Sequence, residues 1–305
     1  MKRSCGLVLV ALFWVLSLPV QAVVINSVTG VGNTNAPIDD PGWNYVGYLN
    51  GASGIYLGSG WVLTASHVGP GNFTLGGISY APLSNSTVQI TNTTPGKTTN
   101  TDLIMFQLAS TPAGLGQLTL ASAHPTLGGP VTMIGAGRDR GAFTEWSINQ
   151  ATTPWTWTEV SSGGNAAGYQ TLSSNTMRWG TNSITNASLW VSVDVGGPRD
   201  VRSFATLFDT IVGDEAQAVL GDSGGAVFQK NGSAWELGGV IFTVAGFSGQ
   251  PSAATTPIYG NATYSADLSY YAPQIISVVP EPSTYALLAL SAAGLGAHVL
   301  RRRRK

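Results

Sequence analysis

The chain has 305 residues, 43% of them hydrophobic and only 10% charged, with 39 glycines. That leaves enough apolar mass for a large core, excludes wholesale disorder, and favours strands and turns over long charged surface helices. Net charge is −1, yet residues 23–280 hold seven basic against fourteen acidic residues; a body of that balance excludes binding to phosphate backbones, so no nucleic-acid partner is expected.

At the N-terminus, Lys2 and Arg3 precede an apolar run from Gly6 to Leu18, and Val20-Gln21-Ala22 supplies a small-residue exit. This is the pattern of a signal peptide over residues 1–22, removed by signal peptidase after Ala22. Cys5 is the only cysteine and would leave with it. The mature protein then has no disulfide, and with no Cys/His cluster it calls for no metal or organic cofactor.

Short apolar or alternating runs follow at Tyr45–Leu49, Gly54–Leu57, Trp61–Ala65, Ser86–Thr91, Leu103–Leu108, Pro130–Ile134, Thr176–Ile184, Leu189–Val195, Gly225–Gln229 and Leu237–Val244. Many short strands separated by Gly, Asn and Pro predict an all-β sandwich or pair of barrels. Thr93–Thr101, Ser161–Gly168 and Gly246–Pro257 read as loops, and no helix is expected before the C-terminal tail.

Histidine is scarce enough for elimination. Apart from His298 in the tail, only His67 and His124 are present. His124 sits before Pro125 in a loop-like stretch with no companion that points to chemistry. His67 closes the strand-like Gly60–His67 segment, where small residues leave room for an imidazole. Ser223 lies in Gly221-Asp222-Ser223-Gly224-Gly225; a serine is a weak nucleophile until a base takes its proton, and the flanking glycines allow a tight turn that aims N–H groups at an oxyanion. Between the two, Asp102 opens an apolar strand, a position from which a carboxylate holds an imidazole in one tautomer.

Thr64-Ala65-Ser66-His67, Asp102-Leu103-Ile104 and Gly221–Gly225, in that order, resemble the three motif boxes of the trypsin/chymotrypsin-like serine proteases. The resemblance runs over about residues 42–276 and includes Met133–Gly137 as the likeness of an inter-barrel strand. It implies an all-β fold of two antiparallel six-stranded Greek-key β-barrels, about residues 42–125 and 126–276 of a 23–276 protease domain, with the catalytic site between them and a polypeptide as substrate. It also implies the roles: Ser223 attacks the scissile carbonyl, His67 is base and then acid, Asp102 orients His67, and the N–H groups of Gly221 and Ser223 form the oxyanion hole.

Departures from the family bear on specificity and activation. Gln217 stands where the family floors its primary pocket, so cleavage after apolar or uncharged polar residues is expected rather than after Lys or Arg. No Lys or Arg lies between Arg3 and Lys97, which closes the tryptic activation route. Asp222 then needs another cation, with Arg138, Arg140, Arg178 and the amino group of Val23 as candidates. Gly221–Gly225 also fits the nucleophile elbow of α/β-hydrolases, but that fold needs a histidine after the serine, and only His298 follows. The alternative is a surface or matrix binding protein that keeps the fold without the activity.

The C-terminus reads Pro280-Glu281-Pro282, then an apolar run Tyr285–Leu300, then Arg301 to Lys305. Sixteen helical residues span about 24 Å, short of a ~30 Å hydrocarbon core, and the basic end would stay cytoplasmic. Residues 277–305 resemble the PEP-CTERM sorting signal. That likeness implies recognition by an exosortase, transient membrane anchoring through the tail, and delivery to the cell surface or extracellular matrix of a Gram-negative bacterium.

Overall fold

The computed structural model describes residues 23–27, 32–211 and 213–279; the expected signal peptide and the tail from Pro280 onward lie outside the described residues. A short strand β1 (Val24–Ile25) is followed by β2 (Val46–Leu49), β3 (Ala52–Gly58), β4 (Trp61–Ala65), β5 (Phe73–Leu75), β6 (Ile78–Tyr80), β7 (Val88–Thr91) and β8 (Asn100–Gln107). The last seven make one antiparallel sheet in the order β6-β5-β2-β3-β4-β8-β7.

The second lobe contains β9 (Pro130–Gly135), β10 (Arg138–Asn149), β11 (Thr156–Val160), β12 (Ala166–Asn175), β13 (Arg178–Asp194), β14 (Pro198–Leu207), β15 (Ala216–Gln217), β16 (Ala226–Asn231), β17 (Ala234–Ala245) and β18 (Ala262–Asp267). Six of these close into a barrel, β13-β14-β18-β17-β16-β9. β10, β11 and β12 form a separate three-stranded sheet, and β1 pairs with β15. A helix, α1 (Leu268–Val278), closes the described chain.

Alternation decides which side chain enters which core. Along the fully buried β3, Ile55 and Leu57 face a core shared with the second lobe, where they join Leu63, Leu103 and Met105 with Ile134, Phe228 and Val240. Tyr56 between them packs with Val62, Phe73 and Phe106 inside the first lobe. Strands buried on both faces read as continuous apolar runs, and this sandwiching is the reason. The barrel has its own core of Val131, Met133, Phe204, Val227 and Ile241.

The all-β, two-lobed architecture agrees with the expectation, with differences in detail. The ladder of the first lobe has seven strands, and its edge strand β6 is three residues long and mostly exposed. Beyond it the chain turns to the end of β8, where Pro82 lies opposite Leu108, Leu83 N–H donates to Gln107 O at 2.7 Å and Ala109 N–H to Ala81 O at 2.8 Å. The expected strands at 176–184 and 189–195 are one strand, β13, whose pairing shifts between Ile184 and Leu189 around Asn186. The β10–β12 sheet was not anticipated, and Ser161–Gly168 is its turn plus the first residues of β12. The helix α1 was not anticipated either. Its Pro273 argues against a helix, but that residue is exposed, so the carbonyl it leaves unpaired meets water.

Candidate active site

β4 delivers His67 and β8 delivers Asp102. The two strands pair with Ala65 opposite Leu103, so the residues just beyond that pair come together at one end of the sheet. The Asp102 carboxylate is fully buried. Its Oδ2 lies 2.7 Å from Nδ1 of His67, and its Oδ1 accepts from Ser66 Oγ at 2.7 Å and from the His67 backbone N–H at 3.1 Å. Backbone pairing adds Ser66 N to Asp102 O at 3.1 Å. Both carboxylate oxygens therefore act on the His67 segment. With Nδ1 committed to the carboxylate, Nε2 is the nitrogen left for a substrate-side proton.

Ser223 belongs to the other lobe, on the turn before β16. Ser53 of β3 ties that turn to the first lobe: its N–H donates to Ser223 O at 2.9 Å and its Oγ to Gly221 O at 3.0 Å. Two glycines make the turn feasible. Gly221 has φ +97° and Gly224 φ +81°. A Cβ on Gly224 would sit 2.1 Å from Ser53 O and 2.2 Å from Thr64 Oγ1, so a side chain there would separate the lobes at the serine.

His67 and Ser223 line one cleft of about 370 Å³. Its walls are Ala218–Leu220 on one side and Ile241–Val244 on another, with Ala254 from the loop after β17. Gln217, expected at the floor of the pocket, does not line this cleft; next in sequence to the wall residue Ala218, it is fully buried, its backbone pairs with Val24, and its Nε2 lies 3.4 Å from Ala262 O. Val193, Asp194 and Val195, at the tip of the β13–β14 hairpin, form a further wall. Sequence reasoning missed this hairpin because it expected a strand at Leu189–Val195 but none over Pro198–Leu207, and the Val-Asp-Val-Gly-Gly run at 193–197 was its only local signal.

His124, read as a loop residue without companions, does have partners. Its Nδ1 lies 2.8 Å from Asp267 Oδ2 and 2.8 Å from Ser269 Oγ. Asp267 is the N-cap of α1, and its Oδ1 already takes the Ser269 hydroxyl proton at 2.6 Å, so this Ser-His-Asp cluster caps a helix and leaves the serine unactivated. Among the described residues, no group of three or more His, Cys, Asp or Glu side chains is placed to hold a metal ion.

Asp222, next to Ser223, is fully buried and faces backbone donors. Oδ1 accepts Gly137 N–H and Oδ2 accepts Val219 N–H, each at 2.8 Å, and the N–H of Val23 is a third partner. Burial pushes its carboxyl up to about 7, against 3.8 in water. Of the cation candidates, Arg140 bonds the carbonyls of Ile25 and Ser27, each at 2.8 Å. Arg178 faces Asp139, whose charge works against the burial that lowers the guanidinium to about 10. Val23 is fully buried in the barrel core with Ile25, Ala216 and Ala218.

Comparison with known proteins gives two family matches. The trypsin model matches residues 30–198, more than half of the chain, and ends before Ser223. The PEP-CTERM protein-sorting motif matches residues 278–304. No curated protein matches the chain. Among solved structures, the chain is similar to neuropsin, a serine protease expressed in the limbic system of mouse brain, at 16% identity and a TM-score of 0.47 over 81% of this chain and 98% of that one. It is also similar to Rv3671c of M. tuberculosis H37Rv in an inactive form, at 16% identity and a TM-score of 0.45 over 82% and 94% of the two chains.

Proposed function

The chain belongs to the trypsin family, and from that premise we propose that it is an exported serine endopeptidase acting through His67, Asp102 and Ser223. The observation that carries the reading is the buried Asp102 carboxylate 2.7 Å from His67 Nδ1, with His67 and Ser223 in one cleft between the lobes. Ser223 Oγ attacks the scissile carbonyl while its proton passes to Nε2 of His67, and Asp102 stabilises the imidazolium. The developing oxyanion is received by the N–H groups of Gly221 and Ser223. His67 then returns the proton to the leaving amine, and water releases the acyl group.

β16 pairs with β17 only as far as Val240, so Phe242–Val244 offer the cleft an open strand edge on which an extended peptide can lie. The walls around that edge are mostly apolar, and Gln217, buried outside the cleft lining, offers no carboxylate. Apolar or uncharged polar side chains therefore fit before the cleaved bond. A fluorophosphonate probe tests the whole reading: it should label Ser223 in the wild-type protein and not in His67→Ala. An unlabelled wild-type protein would favour the binding-protein alternative.

Processing completes the site. Cleavage after Ala22 would convert the Val23 amide beside Asp222 into an ammonium, giving the buried carboxylate its counter-charge. Signal peptidase would then act as the activating enzyme. A chain beginning at Val23 should react with the probe, and the same chain with one extra residue in front should react far less. Equal reactivity would exclude this role for Val23. The PEP-CTERM motif marks the protein for export and sorting; we assign it to exosortase processing and delivery to the cell surface or matrix.

A further inference from the structure

The hairpin tip beside the catalytic cleft is built with care. β13 and β14 stay paired up to Asp194 opposite Pro198, and the chain reverses through Gly196 and Gly197 at φ +82° and +132°. Gly197 N–H donates to Asp194 Oδ1 at 3.0 Å, and Val195 N–H donates to Gly197 O at 3.2 Å. This fixes the carboxylate at the rim of the cleft that holds His67 and Ser223. Of the residues lining that cleft, only His67 and Asp194 can carry charge. The neighbouring Asp200 is already engaged, by Thr98 N–H at 3.0 Å and by Lys97 at 3.9 Å. A single carboxylate against apolar walls attracts a cation into the cleft, and the body's excess of acidic residues adds to that field.

Resting on the endopeptidase reading, we propose that Asp194 is a specificity-determining residue that selects polypeptides carrying a Lys or Arg side chain near, but not at, the apolar residue preceding the cleaved bond. The substrate class is then a basic peptide segment with an apolar anchor. The open edge of Phe242–Val244 holds the backbone, the apolar walls take the anchor, and the hairpin tip meets the cation. An exposed carboxylate acts through a modest, salt-screened attraction, so the selection is graded.

The test uses a peptide series with one apolar anchor and a single Lys, or Gln in its place, moved through three positions on each side of the bond. Asp194→Asn keeps the oxygen that accepts from Gly197 and removes only the charge. Wild-type protein should prefer Lys to Gln by about three- to fivefold in kcat/KM at one or two adjacent positions, less at high salt. In Asp194→Asn that Lys-to-Gln ratio should fall to near one, and Asp194→Lys should favour a Glu peptide. An unchanged Lys-to-Gln ratio in Asp194→Asn, or no preference in the wild type, would overturn the proposal while leaving the endopeptidase reading intact. Neither peptide cleavage nor fluorophosphonate labelling in the wild type would remove both.

Discussion

Asp102 has each oxygen committed to the His67 segment, so the imidazole ring has one orientation and one tautomer available to it. In the proposed mechanism His67 and Ser223 act as a unit, so Ser223→Ala or His67→Ala should each lower kcat by about 10⁴–10⁶-fold, and the double variant should lose little more. Kinetic losses that multiplied would sink the triad assignment. Asp102→Asn should lower kcat by about 10⁴ with an unchanged circular dichroism spectrum, since the amide favours the wrong tautomer. Asp222 gives a second residue-scale prediction, with a defined sign. Its folded pKa is raised from 3.8 to about 7, so in the unprocessed chain its contribution to stability is greatest below 3.8 and is lost as pH rises towards 7. Glu215, also lifted to about 7 by burial, acts in the same direction, so the measurement must be a difference. Urea unfolding of the chain with and without Asp222→Asn, from pH 4 to 8, should show the wild type losing stability relative to the variant as pH rises. In the chain beginning at Val23 that loss should shrink, because the ammonium favours the charged carboxylate.

Among the elements, α1 joins the two lobes. Leu268, Tyr271 and Ile275 are buried in the shared core. The Tyr271 hydroxyl accepts from Arg202 N–H in the second lobe at 2.8 Å and donates to Asn92 Oδ1 in the first at 3.0 Å. Gln274 adds bonds to Thr91, including Nε2 to Thr91 O at 2.7 Å. Tyr271→Phe leaves two partners on half-buried residues without their bond and should lower stability by about 1–2 kcal/mol in urea unfolding, with kcat unchanged once folded. A variant as stable as the wild type would show that the helix clamps through apolar packing alone. The same elements show what was legible in the sequence. β4 and β8 read clearly because each is an apolar run bounded by a polar residue of the proposed site, His67 after β4 and Asp102 near the start of β8. β10 begins Arg-Asp-Arg-Gly and β11 alternates with little burial, so that sheet gave no core signal. β13 hid its length behind Asn186-Ala187-Ser188, where the pairing shifts and the alternation breaks. The hairpin wall of the cleft, and Asp194 with it, stayed hidden because β14, opening Pro-Arg-Asp and carrying Arg199, Asp200 and Arg202 along its first half, does not read as a strand.

At the scale of the whole molecule, the described body ends firmly. Val279 is buried, and its carbonyl accepts from Gln117 Nε2 at 3.1 Å, immediately before Pro280-Glu281-Pro282. Among the described residues, every residue of the proposed site and of the shared core therefore lies upstream of Pro280-Glu281-Pro282. By sequence, two prolines in three residues, at 280 and 282, disfavour a helix, so an extended, accessible segment for a processing enzyme is expected there. The apolar run beyond them is marginal as a lifelong anchor, at about 24 Å of helix against a ~30 Å core, yet the basic end at Arg301–Lys305 can retain it during export. The mature protein is accordingly expected to end near 280–282 and to lack residues 285–305. Deleting 281–305 should leave kcat and the unfolding midpoint unchanged, because no buried contact of the described body is removed, while diverting the protein to the periplasm or medium. Mass spectrometry of the surface-associated form decides the matter. A C-terminus near Pro282 is the expected result, and an intact Lys305 would mean that the segment is a permanent tail anchor and that sorting by cleavage does not occur.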